Sequence, residues 1–350
     1  MNTQIPALPD LGWSAFYQSQ LSLEECADLC AHRITQVHRS TLDLIGENGA
    51  RRINMNGMLV DHGVVVGDWM LLDAAHQPVR VLDRKSLLKR RSAGTEISEQ
   101  LIASNVDTLF IVSSCNADFN IARLERYLVL AHQAEVEPVL VLTKSDLCDD
   151  PGVYLDKARA AFPNMLIEAV DATHNDTVAR LAPWCGKGQT LVLVGSSGVG
   201  KTTLSNILTG LNIVTQEIRE DDAKGKHTTT ARSMYRMLSG GWLIDTPGIR
   251  ALRLLNARSG VDGVFDDILQ LIPECRFNDC VHETEPGCAV QGAIEAGDLN
   301  PMRLKRWRKL LAEDAFNSQT LAQARQNRKK WAKIGKAGKA MSKAKRGDFM

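Results

Sequence analysis

The chain has 350 residues, long enough for two or three domains, with 44% apolar residues and a net charge of +1. That apolar share is ordinary for a globular protein, and no apolar run nears the ~20 residues a membrane span needs. No basic segment followed by an apolar one opens the sequence, so we expect neither secretion nor a disulfide framework for the eight cysteines, and a cytoplasmic location.

Residues 1–32 read as an N-terminal extension, with a short helix from Leu21 to Leu29 behind Ser22. From Arg33 the pattern changes to short runs of β-formers: Ile34–Val37, Leu42–Ile45, Ile53–Leu59, Trp69–Leu72 and Val79–Leu82. Turn signals such as Glu47-Asn48-Gly49 and His62-Gly63 separate them. This predicts a small β-barrel over residues 33–95, and both an OB-fold and an SH3-like barrel fit. The exit, with Arg84, Lys85, Lys89, Arg90 and Arg91, is basic and reads as turn-like.

Residues 96–260 alternate strands and helices, the pattern of a mainly parallel sheet covered on both faces. Thr108–Val112, Pro138–Leu142, Leu166–Val170, Leu191–Val194 and Trp242–Ile244 read as strands, and Ile121–Ala134 and Tyr154–Phe162 as helices. Three motifs directly follow strands, where ligands of such sheets collect. The first is Thr143-Lys144-Ser145-Asp146. An Asp there can accept two N–H groups from the edge of guanine, and adenine lacks that donor pair. The second is Gly195-Ser196-Ser197-Gly198-Val199-Gly200-Lys201-Thr202, running into a helix from Thr203. Its glycines let several backbone N–H groups converge on a phosphate, Lys201 is placed for the β- and γ-phosphates, and the Thr202 hydroxyl for Mg²⁺. The third is Asp245-Thr246-Pro247-Gly248, whose Asp can hold Mg²⁺ through water and whose Gly can meet the γ-phosphate. Between the last two lies Gly225-Lys226-His227-Thr228-Thr229-Thr230, a polar stretch with the hydroxyls a phosphate-sensing switch requires.

Beyond residue 260 a mainly helical module is expected to run to residue 325. Cys275, Cys280, His282 and Cys288 space as C-x4-C-x-H-x5-C. Three thiolates and one imidazole suit a closed, tetrahedral Zn²⁺ site. Residues 326–350 form a basic tail; from Pro301 onward fifteen Lys or Arg face three acids, a net of +12, which suggests a polyanionic partner such as nucleic acid.

Together the motifs resemble the guanine-nucleotide elements of GTPases, but with the base-reading TKSD ahead of the phosphate loop, as in circularly permuted GTPases. A β-barrel, a permuted GTPase and a Cys₃His module in one chain resemble the RsgA (YjeQ) family, from about Arg33 to Arg308. The resemblance implies an N-terminal OB-like all-β barrel, a central α/β P-loop GTPase and a C-terminal zinc-binding module. It further implies a monomer that hydrolyses GTP to GDP slowly, is stimulated by the 30S ribosomal subunit, touches 16S rRNA, and helps release assembly factors late in maturation. Ile249 stands where Ras-like enzymes place a water-orienting Gln, so intrinsic turnover should be slow, and the resemblance implies that His227 in the switch takes the catalytic role. Two features depart from the family: Val170-Asp171-Ala172 replaces the usual Ser-Ala loop, and the N-terminus carries no basic arm. The rival readings are a P-loop ATPase or kinase, against which Thr143 to Asp146 argue, a non-catalytic RNA-binding scaffold, and a permuted GTPase serving the large subunit, against which the zinc cluster and N-terminal barrel weigh.

Overall fold

The computed structural model describes residues 6–91, 99–212, 232–246 and 254–318. His227, Thr228, Thr229 and Gly248, and the tail from residue 319, lie outside the described residues.

Two short helices come first, α1 (Ala15–Gln18) and α2 (Leu23–Asp28). The Ser22 hydroxyl accepts the Glu25 N–H at 3.1 Å while the Glu25 carboxylate accepts the Ser22 N–H at 2.9 Å, a reciprocal cap that fixes where α2 starts. Five antiparallel strands follow: β1 (Cys30–Val37), β2 (Thr41–Gly46), β3 (Gly49–Asn54), β4 (Trp69–Leu72) and β5 (Pro78–Val81). They pair in the order β3-β2-β1-β4-β5, and among the described residues no ladder joins β3 to β5. Ile34, Leu42, Leu44, Leu59, Met70 and Leu72 point inward into one core. The expected strand Ile53–Leu59 is corrected here. It stops at Asn54, because the Asn56 side chain accepts the Leu59 N–H at 3.0 Å and caps helix α3 (Gly57–His62).

The basic exit is also not a turn. It forms a hairpin of β6 (Leu87–Arg91) and β7 (Glu99–Ser104), with Lys89 paired to Glu99 at 3.1 Å and Arg90 to Gln100 at 3.0 Å. Arg84 is spent inside the protein, bonding the buried Asp68 carboxylate at 2.7 and 2.8 Å.

The central region runs β8 (Thr108–Ser114), α4 (Ile121–Gln133), β9 (Glu137–Thr143), α5 (Gly152–Ala161), β10 (Leu166–Ala169), α6 (Asp176–Cys185), β11 (Thr190–Gly195), α7 (Lys201–Thr209), β12 (Ser233–Arg236) and β13 (Trp242–Asp245). Its sheet order is β10-β9-β8-β11-β13-β12, parallel except for β12, which is antiparallel to β13. Alternate residues serve opposite cores. Leu109, Ile111, Leu140 and Val192 pack on the α4 side, and Phe110, Val112, Val139 and Leu193 meet Leu181, Leu204 and Leu208 of α6 and α7. The strand set continues into the N-terminal strands, because β12 also pairs with β1, Gln36 opposite Ser233.

Four helices complete the described chain: α8 (Arg258–Val264), α9 (Asp266–Leu271), α10 (Ala289–Ala296) and α11 (Pro301–Asn317). Their core, including Val261, Phe265, Ile268, Trp307 and Leu310, takes in Val129 of α4. On the same helix the fully buried Glu125 carboxylate meets Arg306 at 2.6 Å and Arg303 at 3.4 Å, and Arg126 grips Glu313. Helix α4 therefore belongs to both the sheet and the C-terminal module.

Candidate nucleotide and metal sites

Strand β11 ends at Gly195, whose φ of 150° and position against the Val112 carbonyl, 2.2 Å from where a Cβ would stand, exclude any side chain. The loop Gly195–Gly200 then curls into α7, whose first turn has no side-chain cap, so its N–H groups face the loop's concavity. The Lys201 ammonium closes that concavity by donating to the Gly195 and Ser196 carbonyls at 2.9 and 2.5 Å. Thr202 and Thr203 occupy the first turn of α7, behind Lys201. Ser196 meets Tyr127 of α4, a contact that the motif did not foretell.

The base-reading candidate is bound to this loop directly. Thr143 closes β9, is fully buried, and donates its hydroxyl to the Val199 carbonyl at 2.5 Å. Its own carbonyl accepts the Cys115 N–H at 2.9 Å. Lys144 then turns left-handed, with φ 57°, and Ser145–Leu147 form one 3₁₀ turn that presents Asp146 to solvent. Asp245 closes β13, the parallel neighbour of β11. Burial pushes its carboxyl up, while the Thr246 N–H and the Lys201 charge hold it back. Thr143–Asp146, Gly195–Thr203 and Asp245 thus stand at the carboxyl ends of β9, β11 and β13 of one parallel sheet, with β8 between β9 and β11, although Thr143 and Asp245 are 102 positions apart in the chain. Asp171, which stands in the Ser-Ala position, turns inward on its own loop: its Oδ1 accepts the Thr173 N–H at 2.8 Å and hydroxyl at 2.6 Å.

At the far end of the chain, the three thiols and one imidazole come together with their ligand atoms within 4.8 Å of one another. The Sγ atoms of Cys275 and Cys288 lie 3.9 Å apart, and each is 3.5 Å from His282 Nδ1. Tetrahedral zinc with its usual bond lengths places two sulfurs about 3.8 Å apart and a sulfur and nitrogen about 3.5 Å apart. The donor set therefore fits that ion. Glu285 shapes the loop, its carboxylate accepting the N–H groups of Val281, Glu283 and Thr284 at 2.8–3.0 Å, which holds its pKa down at about 2.

A glycine-rich strand-to-helix loop, a Thr-Lys-Ser-Asp turn and a strand-end Asp stand on one parallel sheet, with the Thr-Lys-Ser-Asp turn first in the chain, which is the arrangement of a circularly permuted GTPase fold. The sequence profile described as RsgA GTPase matches residues 81–255. The small ribosomal subunit biogenesis GTPase RsgA 2 of Vibrio parahaemolyticus is 47% identical over 93% of this chain and 91% of its own. The RsgA of Mesorhizobium japonicum is 47% identical over 89% of this chain and 91% of its own. The chain belongs to the RsgA GTPase family, and its enzymatic activity is GTP hydrolysis. Two solved structures share the fold: YjeQ from Thermotoga maritima has a TM-score of 0.61 and 23% identity, covering 81% of this chain and 98% of that one. YloQ, a circularly permuted GTPase, has a TM-score of 0.59 and 21% identity, covering 83% of this chain and 96% of that one.

Proposed function

We propose that this protein hydrolyses GTP on the small ribosomal subunit during its late maturation. The observation that carries this reading is the 47% identity, across nearly the whole of both chains, with a relative named for small-subunit biogenesis. Asp146 reads guanine, with the Lys144 stem beside the base. Lys201 and the loop N–H groups, from Gly195 through Ser197, Gly198 and Gly200, hold the phosphates. Thr202 and a switch threonine, Thr228 or Thr229, are the oxygens that would hold Mg²⁺; Asp245 would anchor its water and Gly248 would meet the γ-phosphate. Bound with the nucleotide, Mg²⁺ neutralises charge on the β- and γ-oxygens. His227 orients the attacking water when the protein is on the subunit, and Ile249 leaves the free enzyme slow.

Cys275, Cys280, His282 and Cys288 hold one structural Zn²⁺. The five N-terminal strands form a partly open OB barrel. Arg39, in the turn before β2, and Arg52, on the outward side of β3 and paired with Asp43, are exposed cations of that barrel, which is the kind of fold that offers a face to oligonucleotides. That barrel and the metal module grip 16S rRNA, and the protein acts as a cytoplasmic monomer that helps assembly factors leave the 30S subunit. No helix among the described residues is long and apolar enough to cross a membrane.

Multiple-turnover phosphate release, measured with and without purified subunits, tests the reading. Slow hydrolysis that rises with 30S and not with 50S subunits is expected. Equal rates in all three conditions would overturn it.

A further inference from the structure

The end of the parallel sheet opposite the phosphate loop holds a second polar site. There a cavity of about 220 Å³ opens between the N-terminal segment, β1 and the starts of β8 and β11. Its wall includes Tyr17, Arg33, Lys85, Asp107, Lys187 and Thr190, three cations against one carboxylate. Arg33 is buried to 1% exposure, and among the described residues no carboxylate pairs with it. Its guanidinium donates instead to three carbonyls: Nε to Gly67 at 3.3 Å, Nη1 to Leu11 at 2.5 Å and Nη2 to Asn105 at 2.9 Å. A guanidinium has five N–H donors, so two are left over. Trp69 stacks on its other side, 5.7 Å from the ring centre. Burying a cation that touches no carboxylate is costly: its pKa is drawn down by burial to about 10, with Asp107 and Asp68 nearby holding it up in part.

Two more donors share the cavity. Tyr17 is 3% exposed and, among the described residues, its hydroxyl makes no hydrogen bond. The Thr190 Oγ1 is buried and equally without a partner. Lys85 and Lys187 are held only by exposed pairs, to Asp107 at 3.2 Å and Asp10 at 3.3 Å, which an incoming anion can displace. A buried polar group without a partner, as Thr190 Oγ1 is, calls for an explanation, and a bound anion or water beside the open Tyr17 hydroxyl supplies one.

We propose that this cavity is an oxyanion site that receives a phosphate group, with Arg33, Tyr17 and Thr190 as its donors and Lys187 at its mouth. Charge-assisted bonds from a guanidinium, completed by two hydroxyls, match the acceptor-only chemistry of such a group. The group arrives either as free phosphate or as part of an RNA backbone. The site is independent of the GTP site, which lies at the other end of the same strands.

The test uses the full chain saturated with GDP and Mg²⁺, so that the phosphate loop is filled. Inorganic phosphate is titrated at constant ionic strength while the melting temperature is followed, and a short single-stranded RNA is titrated by fluorescence anisotropy. Tyr17→Phe and Lys187→Ala are compared with the parent, with GDP affinity as the control for folding. A saturable rise in melting temperature with phosphate, weakened at least five-fold in Tyr17→Phe, establishes the site for the free anion. RNA affinity that falls at least five-fold in both variants, without a phosphate response, establishes it for the backbone. If neither phosphate nor RNA binding changes in either variant while GDP affinity is retained, the proposal is wrong.

Discussion

Thr143 ties the proposed base-reading turn to the proposed phosphate loop, and Thr143→Val tests that link with almost no change in shape. The hydroxyl is fully buried, and its 2.5 Å bond to the Val199 carbonyl, beside a longer one of 3.2 Å to the Ser113 carbonyl, links the two proposed elements through a side chain. Valine keeps the volume but leaves that carbonyl unpaired where Val199 is itself 1% exposed. An unsatisfied buried group costs about 1–3 kcal/mol. If the cost falls on the ordered loop, GDP dissociation constants rise roughly 5- to 150-fold, since each 1.4 kcal/mol is a factor of ten. Thr143→Ser restores the donor and should return to within a few-fold of the parent. Titration with a fluorescent GDP analogue, beside urea unfolding, reads both effects. Unchanged affinity and unchanged stability in Thr143→Val would show that the two loops are held by something else.

Asp146→Asn should relax the preference for guanine, because an amide cannot accept two N–H groups as a carboxylate does; GTP and ATP competition curves that do not move would reject the role. His227→Ala should bind GTP as the parent does yet lose the stimulation by 30S subunits, read as phosphate release in the presence of subunits. Cys288→Ser should lower the metal content from one equivalent of zinc, measured by a chelator dye, and lower the melting temperature, since ligand loss in a structural site costs folding energy. His32 gives a pH signature: it is 2% exposed, and burial, with Arg51 and His76 nearby, depresses its pKa below the ordinary 6.5. The unfolded chain therefore binds the proton first, and stability contributed by neutral His32 is present above pH 6.5 and is lost as pH falls below it. Urea unfolding between pH 8 and 5.5 should show a shallower slope for His32→Asn than for the parent.

The strands that carry the nucleotide site were readable because both their faces are buried. All seven residues of β8 and all six of β11 are buried, so each carries an unbroken apolar run, Leu109–Val112 and Leu191–Val194. The permuted order was readable too, because the motifs keep their spacing to their own strand ends whatever the connections between strands. What was hidden depends on partners distant in sequence. The Leu87–Arg91 strand looks like a basic linker until Glu99 and Gln100, ten residues away, neutralise and bond it. The four-residue strand β12 has no periodicity to detect and exists because β13 and β1 flank it. Helix α3 was masked by its β-branched and aliphatic neighbours, although Asn56 supplied the cap. Tyr127 carried no signal beyond helical spacing; only the fold brings it to Ser196.

The ladder between β1 and β12 has a practical corollary for anyone dissecting this protein. Cutting away residues before the hairpin, to isolate the GTP-hydrolysing half, removes the pairing of Gln36 with Ser233 and leaves four-residue β12 as an uncovered border of the sheet. Naked borders of that sort recruit other polypeptides. Such a fragment should dimerise or precipitate, and its sluggish turnover would then reflect clumping rather than the intrinsic chemistry of the enzyme.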